Sequence, residues 1–129
     1  DCRAAARITG PLLWRDMRSG DQVCRPEELG DVILGRKDCA ASYHIAVVVD
    51  DAAQGVTHVS RGEDLFPVTG IHRTLQALLG LPVPQWYHHR LVKDASGKRL
   101  AKRDRSLSLQ EMRAAGMRPE DVFRLMRES

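Results

Sequence analysis

At 129 residues the chain has room for one domain with a hydrophobic core of its own. Its 43% hydrophobic share is ordinary for a globular protein, and the low aromatic share, 5%, predicts a core filled by aliphatic side chains. A formal charge of +3 admits an anionic partner without requiring one, no window is long and apolar enough to span a bilayer, and the first residues, DCRAAARI, lack the apolar run of a secretory signal.

Residues 4–8 read as a helical turn broken by Gly10 and Pro11, and residues 12–14 as a short strand. The charged stretch 15–30, interrupted by Gly20, Pro26 and Gly30, reads as surface loop, which makes residues 1–30 an irregular region. Residues 31–36, DVILGR, are compact, apolar and β-branched, and predict a strand followed by a loop over 37–41. Residues 43–53 carry two signals. Ile45 and Val47, Val48 and Val49 favour a strand by propensity. Helical spacing instead aligns Tyr43, Ala46, Val47 and Asp50, with Ser42 as an N-cap and Gly55 as a stop.

Residues 56–60 alternate like a short strand and deliver Arg61 next to Gly62. Residues 63–79 predict a helix with an apolar stripe of Leu65, Val68, Leu75, Leu78 and Leu79, ended by Gly80, its regular part beginning near Pro67. An extended connector over 81–85 leads to a strand over 86–93 and a turn over 94–97. Ser108 and Glu111 form a capping-box pattern for a helix to Ala115, and Pro119 opens a last helix to about Met126. Strands alternating with helices predict an α/β layered fold.

Among residues able to do chemistry, Arg61 comes first. A guanidinium at a strand end can grip a carboxylate with two parallel hydrogen bonds. The alternative is a surface arginine holding nothing, and Gly62 weighs against it because glycine lets backbone or ligand come close. Tyr43 can donate its hydroxyl to the same ligand, or be a core tyrosine with a satisfied hydroxyl. Asp50 and Asp51 are adjacent and point to different helix faces, so they do not read as an acid–base pair. Five cations, Lys98, Arg99, Lys102, Arg103 and Arg105, fall within eight residues and can hold phosphates or form a solvated charge run. His88 and His89 alternate across a strand and make a poor chelate, while His44, His58 and His72 are scattered, so no metal site is expected. Cys2, Cys24 and Cys39 are odd in number and lack CxxC spacing, which points to reduced thiols in a cytoplasmic setting.

From residue 31 to 103 the chain resembles the second half of the catalytic domain of the glutamyl-tRNA synthetases, class I aminoacyl-tRNA synthetases with a Rossmann-like fold. SYHIAVVVDDAAQGVTHVSRGEDL resembles the family's glutamate-pocket segment, and RLAKR, Arg99 to Arg103, its KMSKS-type loop. Within the family the truncated paralogues, the glutamyl-Q tRNA(Asp) synthetases, are the better match, because the chain ends about two helices after that loop without an anticodon-binding domain. The resemblance decides the 43–53 segment in favour of helix. It implies an α/β fold in which residues 1–105 form a partial Rossmann-like domain and residues 106–129 a short C-terminal helical segment.

The resemblance also implies chemistry: ATP, with Mg2+ accompanying it, activates L-glutamate, which passes to queuosine in tRNA(Asp). Tyr43 and Arg61 match the family's glutamate-binding residues. Lys102 matches the second lysine of the loop, which contacts ATP and is the catalytic candidate, and Arg99 stands in weaker contact with ATP. Two positions depart from the loop pattern: Arg99 replaces its first lysine and Ala101 its serine. The HIGH-type motif has no counterpart, so a missing N-terminal half or a partner chain is expected to supply it, and zinc belongs only to such an N-terminal part. The alternatives are a piece of a glutamyl-tRNA synthetase charging tRNA(Glu), or a degenerate, non-catalytic tRNA-binding paralogue.

Overall fold

Residues 1–91, 93 and 108–128 are described by the computed structural model, which divides into two units, Asp1–His89 and Arg90–Ser129. The first is built on a four-stranded mixed sheet. Strand β1 (Leu13–Asp16) pairs antiparallel with β2 (Gly20–Val23), from Leu13 opposite Val23 to Asp16 opposite Gly20. Strand β4 (Gln85–His89) runs parallel to both β1 and β3 (His58–Gly62), giving the order β2-β1-β4-β3. The parallel pair β3–β4 requires a crossover, and helix α3 (Thr69–Leu79) supplies it.

The tight β1–β2 connection follows from one side chain. Asp16 Oδ1 accepts from the backbone N–H groups of Arg18 (3.0 Å) and Ser19 (2.7 Å), an Asx-type turn, and Gly20 follows at φ 78°. Upstream, helix α1 (Cys2–Thr9) is capped by Asp1, whose carboxylate accepts from Ala4 N–H at 2.8 Å. Residues 15–30 are therefore not loop: they complete a hairpin and continue into a 3-10 turn, Pro26–Leu29. Composition hid this because hairpin edges and caps are made from the same polar residues as loops.

The predicted strand over 31–36 is not formed. Its hydrogen bonds close on the neighbouring loop, with Arg36 N–H donating to Cys39 O (2.7 Å) and Ser42 N–H to Leu34 O (2.8 Å), and Ile33 remains exposed. By contrast, helix α2 forms over Tyr43–Ala53, where propensity favoured strand. It buries Val48 in an aliphatic cluster with Cys2, Ile71 and Leu75, against which Val32, Ile45, Val47 and Leu81 pack. Tertiary burial of one helical face outweighs the weak intrinsic preference of β-branched residues.

Three boundaries shift in ways that matter. Strand β3 ends two residues later than predicted, so Arg61 lies inside it. Strand β4 stops at His89, short of the predicted residue 93. The segment 63–79 splits into a 3-10 turn, Glu63–Leu65, and α3, which closes on Gly80 in the left-handed region (φ 63°, ψ 32°). Leu78 and Leu79 are exposed, and the buried face of α3 instead carries Thr69, Ile71, His72, Thr74, Leu75 and Gln76. The core is also less aliphatic than composition predicted: Trp14 and Trp86 are buried, with Trp14 packed edge-on against Phe66 (4.9 Å), Trp86 (5.7 Å) and His88 (5.8 Å).

In the second unit, helix α4 (Leu109–Ala114) begins with the predicted capping box. Ser108 Oγ accepts from Glu111 N–H at 3.1 Å, and the Glu111 carboxylate accepts from Ser108 N–H at 2.7 Å. Helix α5 (Pro119–Glu128) follows. The turn predicted over 94–97 and the basic run over 98–105 lie outside the described residues.

Candidate functional site

Three strands and two helices bring their polar residues to one place. On β4 the pleat buries Trp86 and His88 and exposes Gln85, Tyr87 and His89. On α3, Thr69, His72 and Gln76 recur at helical spacing along the buried face. Arg61 of β3 meets both sets. Its Nε–H donates to His88 Nε2 (3.1 Å), Nη1 to His72 Nδ1 (3.0 Å), and Nη2 to Thr69 Oγ1 (2.6 Å) and, more weakly, to Leu65 O (3.4 Å). Behind His88 stands Asp16 of β1, fully buried, with Oδ2 2.7 Å from His88 Nδ1. Beyond His72 stands His44 of α2, with Nδ1 3.1 Å from His72 Nε2.

The proton positions follow from the ends of the network. A carboxylate only accepts and a guanidinium only donates. His88 therefore carries its proton on Nδ1, facing Asp16, and offers Nε2 to Arg61. His72 offers Nδ1 to Arg61 and carries its proton on Nε2, facing His44. Burial holds all three imidazoles neutral. It pushes His72 down to about 3, with the charge of Arg61 next in weight and then His44 and His88. His44 and His88 are lowered for the same first reason, and the Asp16 contact opposes the shift in His88 without reversing it. For Asp16, burial raises the carboxyl, but hydrogen bonds from His88, Ser19 and Arg18 outweigh it and hold it below its ordinary value.

Of the predicted site residues, Tyr43 and Arg61 are brought together. Burial draws the guanidinium's pKa down, and the phenol of Tyr43 beside it is the largest opposing influence, followed by Asp51 and Asp64. Tyr43 is half-exposed, stacks edge-on with His44 (5.7 Å) and His72 (5.6 Å), and also lines a cavity of about 330 Å³ shared with Ile33, Gly35, Arg36, Cys39 and Ser42. The free two-bond fork expected of Arg61 is not present. Its Nε–H, one Nη1 hydrogen and both Nη2 hydrogens already meet protein acceptors, which leaves a single Nη1 hydrogen. Of the two adjacent acids, Asp50 is exposed, while Asp51 is partly buried near Arg61, its carboxyl raised by that burial. Lys102 and Arg99 lie outside the described residues. Among the described residues no three His, Cys, Asp or Glu side chains are grouped to hold a metal ion.

Sequence reasoning missed Asp16, His44, Thr69, His72 and His88. The histidines looked scattered because 28 residues separate His44 from His72 and 72 separate Asp16 from His88. One local signal was available: a polar Thr69–His72–Gln76 row at spacings of three and four, a stripe that would be called a helix face had its members been apolar.

Residues 2–128 match the family described as tRNA synthetases class I (E and Q), catalytic domain. A glutamyl-Q tRNA(Asp) synthetase of Rhodobacter capsulatus is 53% identical over 120 residues, covering 92% of this chain and 42% of that protein. A glutamyl-Q tRNA(Asp) synthetase of Nocardia farcinica is 50% identical over 99 residues, covering 77% of this chain and 32% of that protein. A crystal structure of a glutamate-tRNA synthetase from Elizabethkingia anophelis superposes with a TM-score of 0.63 at 30% identity, over 73% of this chain and 19% of that one. The chain thus spans less than half the length of each of these relatives.

Proposed function

The chain belongs to the family of class I tRNA synthetase (E and Q) catalytic domains, and from that premise we propose that it is the second half of such a domain, carrying the amino-acid pocket of an enzyme that activates L-glutamate with ATP and transfers it to queuosine in tRNA(Asp). One observation carries the pocket: Arg61 is partly buried among neutral acceptors, and no carboxylate among the described residues lies within ion-pair distance of it. A partly buried positive charge without a contact counter-ion is favourable to an anion of the right size. The Tyr43 phenol stands within hydrogen-bonding reach of Arg61, so its oxygen can take the remaining guanidinium hydrogen while its own O–H, with the guanidinium charge, is left for that anion.

In the activation step an oxygen of the glutamate α-carboxylate attacks the α-phosphorus of ATP, and pyrophosphate leaves. The nucleophile is the substrate's own, so the protein contributes position and charge rather than a covalent group. Arg61 and Tyr43 hold the amino acid. Lys102, with Arg99 as the weaker contact, is assigned to the negative charge that develops on the phosphates, and Mg2+ arrives with ATP. A cytoplasmic setting is part of this proposal. Among the described residues no helix is long and apolar enough to cross a membrane. A second reading, part of a glutamyl-tRNA synthetase charging tRNA(Glu), draws on the structural likeness to the Elizabethkingia enzyme, and an anticodon-binding domain in the parent protein decides for it.

Tyr43→Phe is the cleaner test, because Tyr43 is half-exposed and its hydroxyl neighbours Arg61 without holding the buried imidazoles. Arg61→Ala is not clean: it strips His72, His88 and Thr69 of a donor and lowers stability as well as binding. In the parent protein, Tyr43→Phe is expected to raise the KM for L-glutamate in ATP–pyrophosphate exchange roughly 10-fold. Its melting temperature is expected to stay unchanged. An unaltered KM removes Tyr43 from the pocket.

A further inference from the structure

We propose that His72, held by His44, is a positioning and specificity residue: a charge-neutral brace that fixes Arg61 while leaving its positive charge uncancelled, so that the site selects a carboxylate over the corresponding amide. The inference rests on the pocket reading above and adds the residue that sets its selectivity. An arginine drawn partly into the interior is ordinarily matched by a carboxylate. Here the position that would hold one is taken by an imidazole, with His72 Nδ1 3.0 Å from Arg61 Nη1 and only 2% of His72 exposed. Asp16, a carboxylate hydrogen-bonded into the network among the described residues, is kept one ring away. Its charge is met by His88 and by the N–H groups of Arg18 and Ser19 before it reaches the guanidinium.

His44 completes the brace. Arg61 can only donate, so His72 accepts at Nδ1 and carries its proton on Nε2, and the 3.1 Å contact to His44 Nδ1 is then a donated bond that gives that proton a partner. The rings lie 5.3 Å apart at 50°, and Tyr43 stacks on both, so the orientation of the phenol depends on the same pair. Asp51 and Asp64 act on Arg61 from further away. A ligand that brings its own negative charge therefore completes an ion pair, whereas an amide oxygen accepts from the guanidinium but leaves its positive charge uncompensated.

Two substitutions of equal shape and different charge test this. His72→Gln keeps a neutral acceptor for Arg61, and His72→Glu replaces it by a carboxylate. NMR titration of the 129-residue chain with L-glutamate and L-glutamine is expected to show retained glutamate preference in His72→Gln and a loss of roughly 10-fold or more in that preference in His72→Glu. Long-range proton–nitrogen spectra of the unsubstituted chain are expected to show His72 and His44 protonated on Nε2 and His88 on Nδ1, whether or not ligand binds. If the unsubstituted chain does not distinguish glutamate from glutamine, the pocket reading falls. If it does and His72→Glu behaves like His72→Gln, or if His72 carries its proton on Nδ1, the brace falls and the pocket stands.

Discussion

At Arg61 the usual relation between burial and charge is inverted. The cation is permanent, and it is the groups around it that have given up theirs: His44, His72 and His88 all titrate below their ordinary value, chiefly through burial. This has a consequence for stability. His72 binds a proton in the folded protein only near pH 3, whereas the unfolded chain binds it near 6.5. Between those values the unfolded state holds more protons, so stability is complete above about pH 6.5 and falls as pH drops, by about 1.4 kcal/mol per unit for this group. His44 and His88 act in the same direction. Denaturant melts at pH 7.0 and 5.5 are expected to show the loss, and His72→Gln to reduce it. Equal stability at the two pH values would mean that His72 takes up its proton as readily in the fold as in the unfolded chain.

Among the elements, α3 does most to assemble the site. It forms the β3–β4 crossover, covers the aliphatic cluster with Ile71 and Leu75, and presents Thr69 and His72 to Arg61. Its C-terminal stop sets how the chain enters β4. Gly80 adopts φ 63°, and Leu81 N–H donates to Gln76 O at 2.9 Å, which closes the last turn. A Cβ at Gly80 meets nothing within 4 Å, so Gly80→Ala tests backbone conformation alone. It is expected to destabilise the chain by about 1 kcal/mol, read as a lower unfolding midpoint with an unchanged slope. No change would show that the turn relaxes out of the left-handed region.

For the molecule as a whole, length is the governing fact: the chain spans 42% of the Rhodobacter relative. The proposed pocket is a clamp for one end of a small anion, whereas in-line attack on ATP needs phosphate and amino acid held together. The 129-residue chain by itself is therefore expected to show no glutamate-dependent ATP–pyrophosphate exchange, even if it binds glutamate weakly. Exchange above background would require a self-sufficient site.

What the sequence by itself determined was local or patterned. The capping box at Ser108, the stop at Gly80, the helix over residues 43–53 once the pocket motif had been matched, and the strand that carries Arg61 all rest on residues within a few positions of one another. The pairing of Tyr43 with Arg61 came from the family resemblance rather than from spacing. Only the tertiary structure decided that residues 31–36 close on a loop instead of joining the sheet, and that residues 13–23 form a hairpin. It alone joined Asp16, His88, Arg61, His72 and His44 into one hydrogen-bonded line. The reason is physical: a cap or a turn is satisfied by its neighbours in the chain, but a buried polar group is satisfied by whatever the packing of distant elements brings to it.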